Sequence, residues 1–329
     1  MKSLSDSWVD TLLNWFREVR HPYPWREGRS PYRVWVSEVM LQQTVAATVE
    51  ERFRRWMERF PNVESLASAS EEEVLRMWEG LGYYNRARNL HKSAKILADQ
   101  GFPESSQGWR SLPGVGPYTA AAIGSLVLRE PSPVMDANVL RFLRRFCQKG
   151  TSGEELLQSV IPRENPGEFN EALMELGQQI CRPRTPLCQE CPLKSLCRFF
   201  RGGETEPPPQ PRKVTMKESW VLMALLQGSL LMEKTLKGRF HGLWRPPILP
   251  KRGTLPPVEE MGELFPGGFK DLRPLPPREH LYTRYRELLF PLLFFVQEAG
   301  SFQAFSQERL KELPMPTVYR RLVDETLFP

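Results

Sequence analysis

The chain has 329 residues, enough for two domains that each bury a core, and its 40% hydrophobic and 26% charged content excludes a fibrous or disordered protein. A net charge of +6 permits a polyanionic partner without requiring one. The longest apolar stretch, "LLFPLLFFV", is nine residues interrupted by Pro291, well short of the about 20 needed to span a membrane, and "MKSLSDSWVD" carries no export pattern.

From Ser5 to about Phe200 the apolar residues recur at helical spacing, in "WVDTLLNWF", "VWVSEVMLQQTVAATVEERFRRWMERF", "ARNLHKSAKILADQ", "YTAAAIGSLVL", "ANVLRFLRRF" and "NEALMELGQQI". Proline and glycine punctuate the gaps at "HPYP", "FPNV", "LPGVGP" and "REPSP". Ser70 precedes three glutamates and predicts a capped helix start. Composition then shifts. "RGGETEPPPQPRK", residues 201–213, lacks apolar periodicity and predicts an extended linker. Beyond it "SWVLMALLQGSLLMEK" and "ELLFPLLFFVQE" predict strands, whereas "ERLKEL" and "TVYRRLVDETL" predict short helices. The expectation is a mainly α N-terminal domain over 1–200 and a smaller α/β domain over 214–329.

Within the first domain, "SEVMLQQT" is unusual. At about 100° per residue, Glu38, Gln42, Gln43 and Thr44 would point to different sides of one helix, with Val39, Met40 and Leu41 between them. Such a segment cannot hide its polar groups on one wet face. A carboxyl lodged among apolar neighbours resists ionisation, as a general acid working near neutral pH requires. A buried pair with Arg26 is the competing reading.

Four of the five cysteines, Cys181, Cys188, Cys191 and Cys197, are separated by six, two and five residues. In a reducing cytoplasm such a cluster suggests metal ligands before disulfides. Four thiolates suit either an iron–sulfur cluster or tetrahedral zinc, and spacing leaves both open. Cys147 is expected to be a buried core thiol. The loop between the first two ligands carries Arg182 and Arg184, which a bound metal would hold in place for phosphate contact. Just before a helix expected from Pro117, Gly114 and Gly116 allow a close backbone approach, and the exposed N–H groups there attract an anion.

"LPGVGPYT", the aspartate of "VMDANV" and the cysteine cluster together resemble the helix-hairpin-helix DNA glycosylases of the endonuclease III superfamily. "PWR", "SEVMLQQT" and "GLGYYNRARNLH" narrow the resemblance to the adenine DNA glycosylases, the MutY family. The match runs in order from about Trp25 to Cys197. It implies a [4Fe–4S] cluster on the four cysteines, and double-stranded DNA with 8-oxoguanine:adenine or guanine:adenine mispairs as partner. It further implies that Glu38 protonates adenine, that Asp136 steadies the cationic sugar, and that Asn138 orients Asp136. Tyr118 stands where bifunctional relatives have a lysine nucleophile, so base removal without a lyase step is implied. Trp25, Arg26, Leu41 and Glu171 correspond to the adenine pocket, and Gln42, Gln43 and Thr44 to the space around the extruded base and its partner. Tyr83, with Leu81 beside it, corresponds to the wedge that fills the gap left in the stack.

Residues 214–329 resemble the family's Nudix-like 8-oxoguanine recognition domain, without a Nudix box. In place of a Phe-Ser-His loop this chain has Tyr282, Thr283 and Arg284, and arginine for histidine changes both charge and donor geometry. A cytoplasmic, bacterial monomer is expected. The alternatives are a mismatch thymine or uracil glycosylase on the same scaffold, or a non-catalytic iron–sulfur protein that binds lesions.

Overall fold

The computed structural model describes residues 4–148, 150–204, 214–282 and 285–328. The helices of the first two-thirds are α1 (Leu4–Val19), α2 (Pro31–Leu41), α3 (Ala46–Arg59), α4 (Val63–Ser68), α5 (Glu71–Met77), α6 (Asn85–Gln100), α7 (Ser106–Trp109), α8 (Pro117–Leu126), α9 (Ala137–Phe146), α10 (Gly153–Val160), α11 (Pro166–Gln179) and α12 (Arg198–Arg201). The chain separates into two compact units, one of residues 1–68 with 88–209, the other of 69–87 with 210–329. The second unit therefore takes 69–87 from the expected 1–200 domain. Of the expected linker, only 201–204 lie among the described residues.

In the first unit, α2 starts where Ser30 Oγ accepts the Arg33 N–H at 3.3 Å and Pro31 presets the first turn. Eight of its residues, from Tyr32 and Val34 through Met40, are buried, so it has no wet face. The expected continuous helix through residue 59 is interrupted at 42–45. There Gln43 adopts φ 56°, a left-handed conformation that ends α2, and the β-branched Thr44 and Val45 do not restore the helix before Ala46. Thus Gln42, Gln43 and Thr44 stand in a turn, and Glu38 is the buried charged group of the helix proper. A second core joins α1, α9 and α11 through Leu12, Phe16, Phe142, Phe169, Leu173 and Leu176. Each such side chain contributes about 1.5–3 kcal/mol on leaving water. Ser70 caps α5 as expected, accepting from the Glu73 N–H at 3.1 Å.

The second unit is built on β1 (Thr215–Leu226), β2 (Ser229–Lys234), β3 (Trp244–Arg245), β4 (Ile248–Pro250), α13 (Val258–Leu264), β5 (Phe269–Pro274), β6 (Arg278–Tyr282), β7 (Tyr285–Val296), β8 (Gln303–Phe305), α14 (Gln307–Leu310) and α15 (Thr317–Leu327). The strand order is β3-β2-β1-β7-β5, with β4 on β1, β6 on β7 and β8 on β2. β1 and β7 run parallel from Thr215 opposite Tyr285 to Leu225 opposite Phe295. Side chains of β1 alternate between two cores. Val221 and Met223 pack with Leu313, Tyr319 and Leu322. Trp220, Leu222 and Ala224 pack with Met261, Phe265 and Phe294.

Candidate active site

Glu38, on α2, is 5% exposed, and its Oε2 has no hydrogen-bond partner. Burial pushes its carboxyl up to about 7. The neighbouring Tyr118 hydroxyl and the Arg29 guanidinium pull in the opposite direction, while the charges of Glu171 and Asp136 push further up. The hydroxyl of Tyr118, on α8, stands 3.4 Å from Met174 Sδ. Burial, aided by the charges of Glu38 and Asp136, holds the Tyr118 phenol well above its ordinary value, so it stays neutral.

One cavity of the first unit is lined by Glu38, Trp25, Arg26, Leu41, Tyr118 and Glu171, all singled out from the sequence. Tyr23, Arg29, Met174 and Glu175 line it too, and sequence reasoning missed them. Tyr23 stacks on Trp25 with centroids 4.5 Å apart and ring planes at 11°. The competing pair of Arg26 with Glu38 is not formed. Arg26 instead joins Glu171 at 3.1 Å and Glu175 at 2.8 Å, and Arg29 joins the second Glu171 oxygen at 2.6 Å. Neither arginine pairs with Glu38, and burial keeps its proton in place against the weaker pull of Arg29.

Asp136 is the N-cap of α9 and accepts the Val139 N–H on Oδ1 at 2.6 Å. Its Oδ2 accepts from Asn138 Nδ2 at 2.8 Å, and Asn138 Oδ1 accepts from Arg141 at 2.7 Å. Arg141 also donates to the carbonyls of Gly177 at 2.6 Å and Cys181 at 2.7 Å. A Cβ on Gly177 would lie 2.6 Å from that of Asn138, so only glycine lets α9 and α11 approach this closely. Tyr118 also lines a second groove, with Pro133, Met135 and Leu140 next to Asp136. It stands on the wall between that groove and the Glu38 cavity.

Gly114 has φ 79°, and a Cβ there would strike Asn89 at 2.7 Å, so the fold itself requires it. Gly116 ends the loop before Pro117 with open space where a Cβ would point. Gln42 Nε2 donates to Thr119 Oγ1 at 3.1 Å, and neither Gln42 nor Gln43 or Thr44 lines the cavity. Leu81 is buried and Tyr83 is 46% exposed, both in the second unit. Tyr282 carries the Arg239 guanidinium over its ring at 3.2 Å, whereas Thr283 and Arg284 lie outside the described residues.

Cys181, Cys188, Cys191 and Cys197 line one cavity, none in a disulfide. Arg145, 3% exposed, points Nη1 at Cys181 Sγ from 3.3 Å and at the Arg182 carbonyl from 2.8 Å. Four free thiols line a shared space and one faces a buried guanidinium, a donor set of the right chemistry for an iron–sulfur group, although among the described residues no three His, Cys, Asp or Glu side chains are grouped to hold a metal ion. Arg182 and Arg184 are exposed on the loop beside it. Cys147, expected to be buried, is half-buried at the edge of the α1–α9–α11 core.

Residues 36–161 match the family described as HhH-GPD superfamily base excision DNA repair protein. Among solved structures, one described as a thermostable thymine-DNA glycosylase superposes with a TM-score of 0.56 at 27% identity, covering 60% of this chain and 97% of that one. An endonuclease III–DNA complex gives 0.52 at 26%, covering 60% and 95%. Fold and hairpin accordingly define a helix-hairpin-helix protein of base excision repair. The adenine DNA glycosylase of Buchnera aphidicola (subspecies Schizaphis graminum) is 33% identical over 250 residues, covering 71% of each chain. That of Mus musculus is 42% identical over 211 residues, 58% of this chain and 41% of the relative. This chain therefore spans about two-fifths of the length of the mammalian relatives it matches. It belongs to the adenine DNA glycosylase family.

Proposed function

We propose that the protein removes adenine mispaired with 8-oxoguanine, and with guanine, from duplex DNA by hydrolysing the N-glycosidic bond. One observation carries this reading: a buried carboxyl with one oxygen unpartnered holds its proton to about pH 7, lines a cavity and feels the charge of Asp136, which does not itself line that cavity. An extruded adenine in that cavity receives the proton from Glu38 at N7 and leaves as a neutral base. The oxocarbenium-like sugar left behind is steadied by the Asp136 carboxylate, whose direction Asn138 fixes. Water completes the sugar, with Glu38 now able to take its proton. Trp25, Leu41, Arg26 and Glu171 shape the base pocket. Tyr118 offers no amine, so no Schiff base forms and the strand stays intact.

In the same reading, Cys181, Cys188, Cys191 and Cys197 hold a [4Fe–4S] cluster. Such a group, when bound, fixes the loop that presents Arg182 and Arg184 to the DNA backbone. Gly114 and Gly116 bring the hairpin backbone to a phosphate. Residues 214–329 serve as the Nudix-like domain that reads the partner base through the hairpin ending at Tyr282, and Tyr83 fills the vacated stack beside Leu81. The division into 1–200, 201–213 and 214–329 then describes two functional parts, although 69–87 packs with the second. Among the described residues no helix is long and apolar enough to cross a membrane.

The test is a gel assay on duplexes carrying 8-oxoguanine:A, G:A, G:T and G:U, each with and without alkali. Cleavage of the adenine strand only after alkali is the expected result. Cleavage confined to G:T or G:U duplexes would establish a thymine or uracil glycosylase instead, and binding with no cleavage a non-catalytic protein.

A further inference from the structure

Residues 69–87 are held within the second unit by contacts that converge on a short stretch near its end. Glu79 Oε1 accepts from Arg320 Nε at 3.1 Å and Oε2 from Nη2 at 3.4 Å, a two-pronged ion pair with both side chains largely buried. The same guanidinium donates to the carbonyls of Leu310 and Leu313. The buried Tyr84 donates its hydroxyl to the Met315 carbonyl at 3.3 Å. Glu79 and Tyr84 bracket the turn that exposes Tyr83.

That turn is shaped in advance. Gly80 and Gly82 take φ of 90° and 68°, and Tyr83 itself takes 47°. Trp78 Nε1 donates to the Gly82 carbonyl at 3.0 Å, and Arg86 to the Leu81 carbonyl at 2.8 Å. The Arg86 guanidinium stands 5.3 Å from the Trp78 ring and 5.6 Å from the Tyr83 ring, supporting the exposed tyrosine.

Helix α15 connects this turn with the hairpin on the sheet. Arg320, near its start, grips Glu79. Glu325, near its end, pairs with Arg278 on β6, the strand that ends at Tyr282. Tyr319, Leu322 and Val323 of the same helix sit in the core with Val221 and Leu289 of the sheet, so the helix cannot shift without repacking that core.

We propose that α15 couples the β6–β7 hairpin to the Tyr83 turn, with Arg320 as the positioning residue that sets the turn according to the base the hairpin meets. The inference rests on the function proposed above, in which the hairpin distinguishes 8-oxoguanine from guanine and Tyr83 enters the stack. The buried ion pair to the turn and the core contact with Leu289 of β7 supply a physical connection, to which the half-exposed Arg278–Glu325 pair adds little, and coupling is measured by a double-mutant cycle.

Single-turnover adenine release, enzyme in excess, is compared for wild type, Glu79→Gln, Arg320→Ala and the double variant, opposite 8-oxoguanine and opposite guanine. Release opposite 8-oxoguanine should fall about tenfold, the effect of losing one charge-assisted bond. Release opposite guanine should change by less than about twofold, and the double variant should fall no further than the singles. Glu79→Gln leaves the Arg320 bonds to Leu310 and Leu313 in place, so it decides the matter if Arg320→Ala fails to fold. Equal losses on both duplexes, additive losses, or no loss would each overturn the coupling. A wild type without preference for 8-oxoguanine would instead overturn the underlying reading, and it is scored before any variant is made.

Discussion

Under the proposed function, the cavity around Glu38 and the hairpin around Tyr282 solve different physical problems. In the first, arginines are matched to glutamates and burial leaves one carboxyl protonated. In the second, a tyrosine ring lies under the Arg239 guanidinium, and the ion pair of Arg286 with Glu279 is half exposed, where such pairs contribute little. Chemistry on a bond demands a dry, over-determined site, whereas reading a neighbouring base needs groups that still face outward. Substitutions in the two regions should therefore differ in size and in kind.

The largest contrast comes from Glu38→Gln, which cannot donate the proton. Adenine release should fall by about 10³-fold or more with duplex affinity retained, measured by single-turnover rates and titration binding. The same change should stabilise the fold at alkaline pH. The native carboxyl, raised from 4.5 to about 7, holds its proton more tightly than in the unfolded chain. Stability from this group is complete below the unfolded value and is lost as pH rises towards 7, on the order of 3 kcal/mol by linkage. Urea midpoints of the glutamine variant should draw ahead of wild type between about pH 5 and about pH 8.

Next in size, Asn138→Ala removes the bond that aims Asp136, and release should slow by about ten- to hundredfold with little change in affinity. Full activity in that variant would mean that the cap alone orients the carboxylate. The pH profile gives a smaller, signed effect. Release should be flat below about 7 and fall above it as Glu38 ionises. Removing Arg29 takes away a cation that favours the ionised form, so in Arg29→Ala the fall should begin at higher pH. A shift to lower pH would mean that Glu171, deprived of Arg29, takes up a proton and ceases to raise Glu38. Smallest of all, Tyr282→Ala should narrow the preference for 8-oxoguanine several-fold and leave release opposite guanine unchanged. If both rates fell equally, the hairpin would be a general DNA contact, not a reader.

The same contrast explains what could be read from the chain. Glu38 was legible as a buried carboxyl because its segment offers no single wet face, whereas Tyr118 and Asp136 were singled out by the resemblance alone. The α/β change after residue 213 was legible from periodicity and from the proline run. The break at Gln43 was not, because apolar spacing continues across a left-handed residue without a mark. Arg29, Tyr23 and Glu175 look like ordinary surface residues until folding points them inward. The membership of 69–87 in the second unit depends on Arg320 meeting Glu79 across 241 positions, which no local pattern encodes.

The wall of the Glu38 cavity holds two guanidiniums against two carboxylates, a balance that nearly cancels at a distance. Ionic strength should therefore act strongly on capture of the duplex and scarcely at all on the step that follows. Added potassium chloride would lengthen the search for a mispair, yet leave unchanged the moment at which a seated base departs.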